Sequence, residues 1–359
     1  MSRDIKSSTM KNIDNHYIEN KIRQLLNPIL NDEPGAIIMA RFDNGLIYQA
    51  EKGLADISQK QKIDENSIFN LASVSKQFTA LSILLLAQEG KLSLDESVLT
   101  YLPELGDYAR EISLYELIYH TSGLIDYMEL AFERGITYQM PLTPAESLAD
   151  VVRQTKTYYP IGQKFEYNNT GYFLLSQIIE RISQKPFSVF AEEKIFTPLK
   201  MNNTFIVEEY PTIKPIVSGY AKDKQDNYQL SESPWTQTGD GAIHSSASDL
   251  MKWGENFRTA KVGGSEVIRK MTQAFSRLTR EGQLVIDYEA YGFGLFINNT
   301  LGELSFEHGG SWMGTATYFM RLPHLKLTIA ILSNREEYNA DVIAIEVAKI
   351  LIQARKRIG

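Results

Sequence analysis

The chain has 359 residues, of which 43% are hydrophobic and 11% aromatic, and it carries charges of both signs. This composition supplies a full-sized hydrophobic core and excludes an intrinsically disordered protein. The net charge of −7 argues against a phosphate-binding surface, so neither nucleic acid nor an anionic membrane is expected as a partner.

The absence of cysteine excludes disulfides, thiolate catalysis and cysteine-ligated metals. The first thirty residues lack the apolar run and small-residue cleavage site of a secretory signal. The longest apolar stretch, around 81–87, is far shorter than the roughly 20 residues that a membrane span needs. We therefore expect no membrane span, and a cytoplasmic protein as the chain stands or an extracytoplasmic one if an export signal was removed.

The N-terminal part combines a helix with a β-hairpin. Residues 1–16 are predicted to be a polar tail, and the apolar spacing of 18–30 predicts a helix. Two apolar runs within 35–53 flank Asp43-Asn44-Gly45, residue types that tolerate the positive φ of tight hairpin turns. We expect these runs to be paired strands.

The next segment, LASVSKQFTALSILLLAQEG at 71–90, places Ser73 and Lys76 at the start of a buried helix. Residues i and i+3 share a helix face, so the lysine amine can reach the serine hydroxyl. A desolvated lysine can act as a general base, and a helix N-terminus favours an oxyanion. Ser73 and Lys76 are thus candidates for a nucleophile and its base, and Ser75 points elsewhere.

The same tetrapeptide also has an ordinary structural interpretation. Serine is a common helix cap and lysine a common solvated residue, and Ser8-Thr9-Met10-Lys11 repeats the spacing within the polar tail. The motif alone therefore does not decide between catalysis and helix capping.

The middle of the chain is predicted to be mostly helical. Ser113 with Glu116, and Thr143 with Glu146, have the spacing of a capping box, and Ser246 opens another helix. The acidic, glycine-containing stretch 221–241 is predicted to be a long loop.

Within this region, Tyr167-Asn168-Asn169 stands just before an amphipathic helix. If Tyr167 lies beside Lys76, its phenol can relay a proton to a leaving group. The Asn169 amide can then hold both the lysine and a substrate carbonyl. The alternative is a buried tyrosine followed by a helix-capping asparagine.

Four strand-like runs, 291–300, 302–310, 314–323 and 325–334, predict an antiparallel meander, and the final helix covers 340–359. In the second run, His308 precedes Gly309 and Gly310, and such glycines allow another backbone to approach closely. His308 can then face a cleft, and the Ser311 amide can join that of Ser73 as an oxyanion donor. The alternative is a β-bulge with a solvent-facing histidine.

These elements predict an α/β (α+β) fold, in which an antiparallel sheet of about five strands is built from both chain ends and flanked by the terminal helices. We expect a single catalytic unit over 17–359. Its α/β part comprises about 17–75 and 246–359, and a helical insertion comprises about 76–245, with the cleft at their junction.

The order Ser73-x-x-Lys76, Tyr167-x-Asn169, His308-x-Gly310 resembles that of the penicillin-recognising serine hydrolases. This family includes class C β-lactamases, DD-carboxypeptidases, D-aminopeptidases and β-lactamase-like esterases. The similarity extends over roughly 17–355. It implies the β-lactamase/transpeptidase-like fold, with a Ser73 nucleophile, a Lys76 base and a Tyr167 proton relay. It also implies that Asn169 positions substrate and that the Ser73 and Ser311 amides form the oxyanion hole.

One departure bears on the substrate, because class C enzymes have Lys-Thr-Gly where this chain has His308-Gly309-Gly310. Histidine, with an ordinary pKa near 6.5, is only partly cationic at neutral pH and should hold a carboxylate less firmly than lysine. His120 and His244 lack metal-ligand spacing, so no metal site is expected. The serine hydrolase hypothesis also needs no cofactor.

The leading hypothesis is a serine hydrolase that forms an acyl-enzyme on a small-molecule or short-peptide substrate, first of all a peptide containing D-amino acids. The alternatives are a carboxylesterase of the same fold and, from another class, a non-catalytic penicillin-binding sensor or scaffold. The sequence does not indicate an oligomeric state.

Overall fold

The computed structural model describes residues 15–212, 214–274 and 290–358. Except for its last two residues, the tail predicted over 1–16 lies outside these ranges. No helix in the described part of the chain is both long and apolar enough to cross a membrane.

Helices of the described ranges are α1 (15–24), α2 (Lys76–Gln88), α3 (Leu114–Ile118), α4 (Tyr127–Glu133), α5 (Pro144–Val152), α6 (Asn169–Ser183), α7 (Phe187–Ala191), α8 (Thr197–Leu199), α9 (Ala247–Thr259), α10 (Gly264–Met271) and α11 (Ala340–Ile358). A π-helical turn, Glu192–Phe196, joins α7 to α8. Short 3₁₀ turns lie at Ala72–Ser75, Val98–Thr100, Pro103–Leu105 and Asp107–Ala109.

The strands are β1 (Ala36–Phe42), β2 (Ile47–Lys52), β3 (Leu54–Asp56), β4 (Gln61–Lys62), β5 (Phe69–Asn70), β6 (Phe205–Ile206), β7 (Tyr220–Lys222), β8 (Tyr228–Leu230), β9 (Ile243–Ser245), β10 (Ala290–Tyr291), β11 (Phe296–Thr300), β12 (Glu303–Trp312), β13 (Thr315–Leu322) and β14 (Leu327–Ser333). The main sheet has the antiparallel order β10-β11-β12-β13-β14-β1-β2. Small sheets are formed by β3-β4, β5-β9-β6 and β7-β8.

The two chain ends meet in the middle of the main sheet, where Ala36 of β1 pairs with Ser333 of β14. β14 is buried along its whole length because helices cover both faces of the sheet there, α9 on one side and α11 on the other. Adjacent β1 residues pack into hydrophobic cores on opposite faces of the sheet, as expected from the two-residue period of a strand. Ile37 packs on the α9 side and Ile38 on the side of α1 and α11.

The predicted mixed fold is confirmed, including the hairpin, the meander and the terminal helices. The main sheet has seven strands where about five were expected, partly because 291–300 contributes to two short strands, β10 and β11, separated by a turn. Two-residue strands such as β10 have no periodicity that a sequence could reveal. The stretch 221–241, predicted to be a long loop, contains most of the β7–β8 hairpin before it becomes irregular.

The helical segments begin where their caps predicted. Ser113 with Glu116, and Thr143 with Glu146, form capping boxes at α3 and α5. The Ser246 side chain accepts a hydrogen bond from the Asp249 amide at the start of α9. α2 packs against α6, and the first residues of the two helices, Lys76 and Asn169, are joined by a hydrogen bond.

Candidate active site

Ser73 lies in the 3₁₀ turn that leads into α2, rather than in the α-helix itself. In a 3₁₀ turn, residues three apart are aligned along the axis. Lys76 is the first residue of α2, and its Nζ lies 3.0 Å from Ser73 Oγ. The turn therefore brings the two predicted residues into hydrogen-bond contact.

The backbone before Ser73 is tied to two other elements. The Leu71 amide donates to Ile243 O of β9 at 2.8 Å, and Thr317 Oγ1 of β13 donates to Leu71 O at 2.9 Å. Ala72 has a φ of 47°, a left-handed conformation that is uncommon for a residue with a Cβ. Such local strain persists only where surrounding contacts enforce it, as the bonds at Leu71 do here.

Gly310 is required by a close approach between β12 and the segment that carries Ser73. A Cβ at Gly310 would lie 2.2 Å from Leu71 O, closer than any real Cβ contact. At Gly309 the nearest atoms belong to the Tyr318 ring, at 3.3 Å. Of the two glycines after His308, the second is thus the one that lets the backbones meet.

Lys76 is completely buried, and its Nζ makes three hydrogen bonds. They go to Ser73 Oγ at 3.0 Å, Asn169 Oδ1 at 2.9 Å and the Asp240 backbone oxygen at 3.0 Å. The two carbonyl-type oxygens can only accept, so they use two hydrogens of the amine. The third substituent position on Nζ faces Ser73. It is an N–H when the lysine is an ammonium ion and a lone pair when the amine is neutral.

Asn169 is held so that its oxygen points at Lys76. Its Nδ2 donates to Asp126 Oδ2 at 3.0 Å, and its backbone amide donates to the same oxygen at 2.8 Å. The helix cap of α6 is the neighbouring residue, Asn168, whose side chain accepts from the Gly171 amide. The helix-capping asparagine of the motif is therefore Asn168, and the Asn169 side chain is available to bind Lys76.

Tyr167 lies beside Lys76, with its ring centroid 4.9 Å from the lysine Nζ. The tyrosine hydroxyl is buried and has no hydrogen-bond partner among the described residues. Behind it, the His120 ring packs with a centroid separation of 4.5 Å. A buried hydroxyl without a hydrogen-bond partner lowers the stability of the fold. The Tyr167 hydroxyl is therefore better explained by a functional role than by a structural one.

His308 is buried and enclosed by hydrogen bonds. Its Nδ1–H donates to Gly309 O at 2.6 Å, which makes Nε2 the acceptor of the Tyr291 hydroxyl at 3.1 Å. Burial, assisted by the positive charge of Lys76, lowers the pKa of His308 to about 3. The expectation of a partly cationic histidine is therefore wrong: it is neutral at pH 7 because its buried position disfavours the charged form.

Asp240 and Tyr127 form a polar contact that the sequence alone does not indicate. The Tyr127 hydroxyl donates to Asp240 Oδ2 at 2.9 Å, while Oδ1 is buried without a hydrogen-bond partner among the described residues. Burial raises the pKa of Asp240 to about 7, against the opposing effect of the Lys76 charge. The one available signal was an acid between two glycines, Gly239 and Gly241, within a predicted loop.

The predicted site residues other than the buried Lys76 line one cleft with a volume of about 1130 Å³, and its lining includes Ser73, Tyr167, Asn169 and the stretch His308–Trp312. In the described part of the sheet, β11 pairs with β12 only over Glu303–Glu307. The His308–Trp312 stretch pairs with β13 on one side, and exposed Ser311 lies within it. Its role as an oxyanion donor stays a prediction.

Two further histidines, His120 and His244, have structural contacts. His120 Nδ1 accepts a hydrogen bond from the Asn168 amide at 3.1 Å, and burial lowers its pKa well below the ordinary value. His244 belongs to β9, and burial lowers its pKa to about 4. In the ranges that the structure covers, no group of three His, Asp or Glu side chains is placed to hold a metal ion.

Comparisons with known proteins match most of the chain to one family. Residues 21–354 match the family described as Beta-lactamase. The chain is 29% identical to penicillin-binding protein 4* of Bacillus subtilis (strain 168) over 84% of its own length and 68% of that protein. It is 24% identical to a D-aminopeptidase of Brucella anthropi over 85% of its length, but spans only 56% of that relative.

Among solved structures, the chain is similar to an octameric penicillin-binding protein homologue from Pyrococcus abyssi. The TM-score is 0.78 and the identity 29%, and the match covers 95% of this chain and 77% of the other.

Proposed function

The chain belongs to the Beta-lactamase family, and on this basis we propose that it is a serine hydrolase that forms an acyl-enzyme at Ser73. One observation carries the proposal: Lys76 is buried, and two of its three Nζ directions are used by Asn169 Oδ1 and Asp240 O. The remaining direction points to Ser73 Oγ at 3.0 Å, the geometry that a general base needs toward its nucleophile.

In the first step, the ammonium form of Lys76, whose charge acts on His308 and Asp240, releases a proton, and the neutral amine then takes the Ser73 proton as Oγ attacks the substrate carbonyl carbon. The carbonyl π electrons move onto oxygen and form a tetrahedral oxyanion. The Ser73 amide at the start of the helix and the Ser311 amide on β12 are the proposed donors to that oxygen. The contact of Gly310 with Leu71 supports this arrangement, because it fixes the separation of the two backbones.

In the second step, the tetrahedral intermediate collapses and the bond to the leaving group breaks. The Tyr167 phenol gives its proton to the leaving nitrogen or oxygen, and the Lys76 ammonium restores that proton. Water then attacks the acyl-enzyme, and the same groups work in the reverse direction to release a carboxylic acid. The buried, unpartnered Tyr167 hydroxyl supports this role because it has no structural hydrogen bond to lose.

The cleft favours substrates without a carboxylate near the reacting bond. His308, in the position where class C enzymes have a lysine, is neutral. Among the described residues that line the cleft, acidic side chains outnumber basic ones, because Lys214 is the one lysine or arginine in the lining. Lys76 is fully buried and does not belong to the lining. The acids are Asp56, Glu232, Asp240, Glu336, Glu337 and Asp341.

This charge distribution supports an amide or ester whose acyl side carries an amine or no charge. A D-amino-acid amide or peptide cleaved at its N-terminal residue is the first choice, in line with the similarity to a D-aminopeptidase. A carboxylesterase of the same fold is the alternative, because an ester with an uncharged acyl group is also compatible with this cleft.

The decisive experiment uses a fluorophosphonate probe and intact-protein mass spectrometry on wild type, Ser73→Ala and Ser75→Ala. Ser75 is a matched control because it lies two residues away and is buried, with its Oγ accepting a hydrogen bond from the Ile243 amide. We expect the adduct in wild type and Ser75→Ala, and no adduct in Ser73→Ala. Loss of the adduct in Ser75→Ala alone would identify Ser75 as the nucleophile instead of Ser73. No adduct on wild type would contradict the proposal.

Turnover then separates the remaining functions. D-Alanine p-nitroanilide, p-nitrophenyl butyrate and a fluorescent penicillin are tested with the same protein. We expect steady release from the free-amine anilide. Steady release from the ester alone would assign the carboxylesterase alternative. A single equivalent of penicillin bound, without any turnover, would assign the penicillin-binding sensor.

A further inference from the structure

Three aromatic side chains form a continuous wall in the cleft, which we call the aromatic wall: Tyr138, Trp235 and Trp312. The ring centroids of Tyr138 and Trp312 are 4.9 Å apart, and that of Trp235 lies 5.3 Å from Tyr138 and 5.9 Å from Trp312. Trp235 is buried, whereas Tyr138 and Trp312 are partly exposed. The cleft thus contains an apolar surface that the described residues leave partly uncovered.

The wall is held in place by hydrogen bonds that do not use the ring faces. The indole N–H of Trp235 donates to Met140 O at 2.8 Å, and Ser233 Oγ donates to Tyr138 O at 2.6 Å. These bonds join the segments around 138–140 and 233–235 without covering the rings. Pre-organised aromatic faces of this kind are typical of sites that bind an apolar or aromatic group.

The position of Trp312 relates the wall to the proposed reaction. Trp312 and His308 are four residues apart on β12, a span of about 13 Å in an extended strand. The His308 ring lies 6.0 Å from that of Tyr167, the proposed proton donor to the leaving group. The leaving group therefore belongs at the His308 end of the strand, and the acyl group extends toward Trp312.

We infer that the aromatic wall is an acyl-side subsite that selects substrates with an aromatic or large apolar acyl group. The inference rests on the proposed function, since it needs an acyl-enzyme at Ser73. It adds the chemical class of the acyl group, which neither the catalytic residues nor the neutral His308 determines.

The test compares p-nitrophenyl 3-phenylpropanoate with p-nitrophenyl acetate, which share a leaving group and differ in the acyl chain. The readout is the ratio of their second-order rate constants for p-nitrophenol release in the first turnover, so slow deacylation does not affect it. We expect wild type to prefer the phenylpropanoate by about tenfold or more. Trp312→Ala and Tyr138→Ala should each lower the ratio about tenfold, and Trp312→Phe should retain most of it.

Tyr158→Ala is the matched control, because Tyr158 is an exposed aromatic residue outside the cleft lining. Its ratio should equal that of wild type. Equal rates for the two esters in wild type, or an unchanged ratio in both wall variants, would overturn the subsite. A fall of both rates by the same factor in Trp312→Ala would instead assign Trp312 to strand positioning and would also overturn it.

The fluorophosphonate adduct distinguishes failure of the acyl-side subsite from failure of the proposed acyl-enzyme at Ser73. A protein that carries the adduct on Ser73 but releases nothing from the phenylpropanoate contradicts the subsite alone. A protein with neither an adduct nor any p-nitrophenol release contradicts the proposed function itself.

Discussion

Asn169 Oδ1 accepts a hydrogen bond from Lys76 Nζ at 2.9 Å, and this contact helps to set the direction in which the lysine faces Ser73. Asn169→Ala leaves the amine free to turn away, and we expect kcat/KM to fall about 100-fold through misplacement of the base. Asn168→Ala is the matched control. It removes the α6 cap and should cost about 1 kcal/mol of stability, with kcat/KM per folded protein within about twofold of wild type.

Asn169→Asp makes a sharper test of the same contact. A carboxylate beside Lys76 stabilises the ammonium form and withholds the lone pair from Ser73. The aspartate also loses the hydrogen bond that Asn169 Nδ2 donates to Asp126 Oδ2. We therefore expect kcat/KM to fall at least as far as in Asn169→Ala, and an Asn169→Asp variant with the kcat/KM of wild type would count against Lys76 as the base.

Tyr167→Phe separates catalysis from stability. The hydroxyl is buried and has no partner among the described residues, so its removal should leave the melting temperature unchanged or slightly higher. At the same time, kcat should fall about 10²–10⁴-fold because the leaving group loses its proton donor. Thermal unfolding and steady-state kinetics on the same preparation check both parts, and a variant that keeps full activity would exclude the relay.

Gly310→Ala should disturb both the fold and the nucleophile. The added Cβ would lie 2.2 Å from Leu71 O and 2.4 Å from Thr317 Oγ1, so β12 must move away from the segment that carries Ser73. We expect a loss of about 1–3 kcal/mol and of most fluorophosphonate labelling. Gly309→Ala meets only the Tyr318 ring, at 3.3 Å, and should be clearly milder in denaturant unfolding and in labelling.

Asp240 predicts a pH dependence of stability. Burial raises its pKa to about 7, whereas an unfolded aspartate titrates near 4. The folded state thus keeps a proton that the unfolded state has lost, so the stabilisation is complete below about pH 4 and is lost as pH rises through 7. The charged and titratable groups that act on this carboxyl are Lys76, Tyr127 and Asp126.

Asp240→Asn keeps an oxygen that can accept from Tyr127 and does not titrate. Its melting temperature, relative to that of wild type, should therefore be higher at pH 8 than at pH 4, by roughly 2–4 °C or more. Thermal scans at both values give the difference. A difference that is the same at the two pH values would show that the pKa of Asp240 in the folded protein is not raised above that of an unfolded aspartate.

The sequence predicted the parts of the site that depend on local spacing. Ser73 and Lys76 are one turn apart, so their contact follows from the chain itself, and the capping boxes at Ser113 and Thr143 start helices for the same reason. The meeting of Lys76 with Asn169, 93 residues away, was predictable only through the order of the three motifs.

The residues that the sequence did not reveal depend on tertiary packing. Tyr291 reaches His308 because β10 and β11 fold back along β12, and a tyrosine in an apolar run carries no sign of that partner. The neutral state of His308 is likewise a property of its enclosure rather than of its type. Asp240 becomes part of the site only because an irregular segment crosses over the N-terminus of α2.

The pairing of β1 with β14 has a consequence for how the protein is made. The Gly35 amide donates to Asn334 Oδ1 across 299 positions of sequence, and contacts of such separation slow folding. During synthesis, Ser73 and Lys76 leave the ribosome long before Gly310 and its neighbours exist. The nascent chain therefore carries the proposed nucleophile and base without the strand that completes the cleft, and under the proposed mechanism we expect activity only late in translation, when the C-terminal strands have joined the sheet.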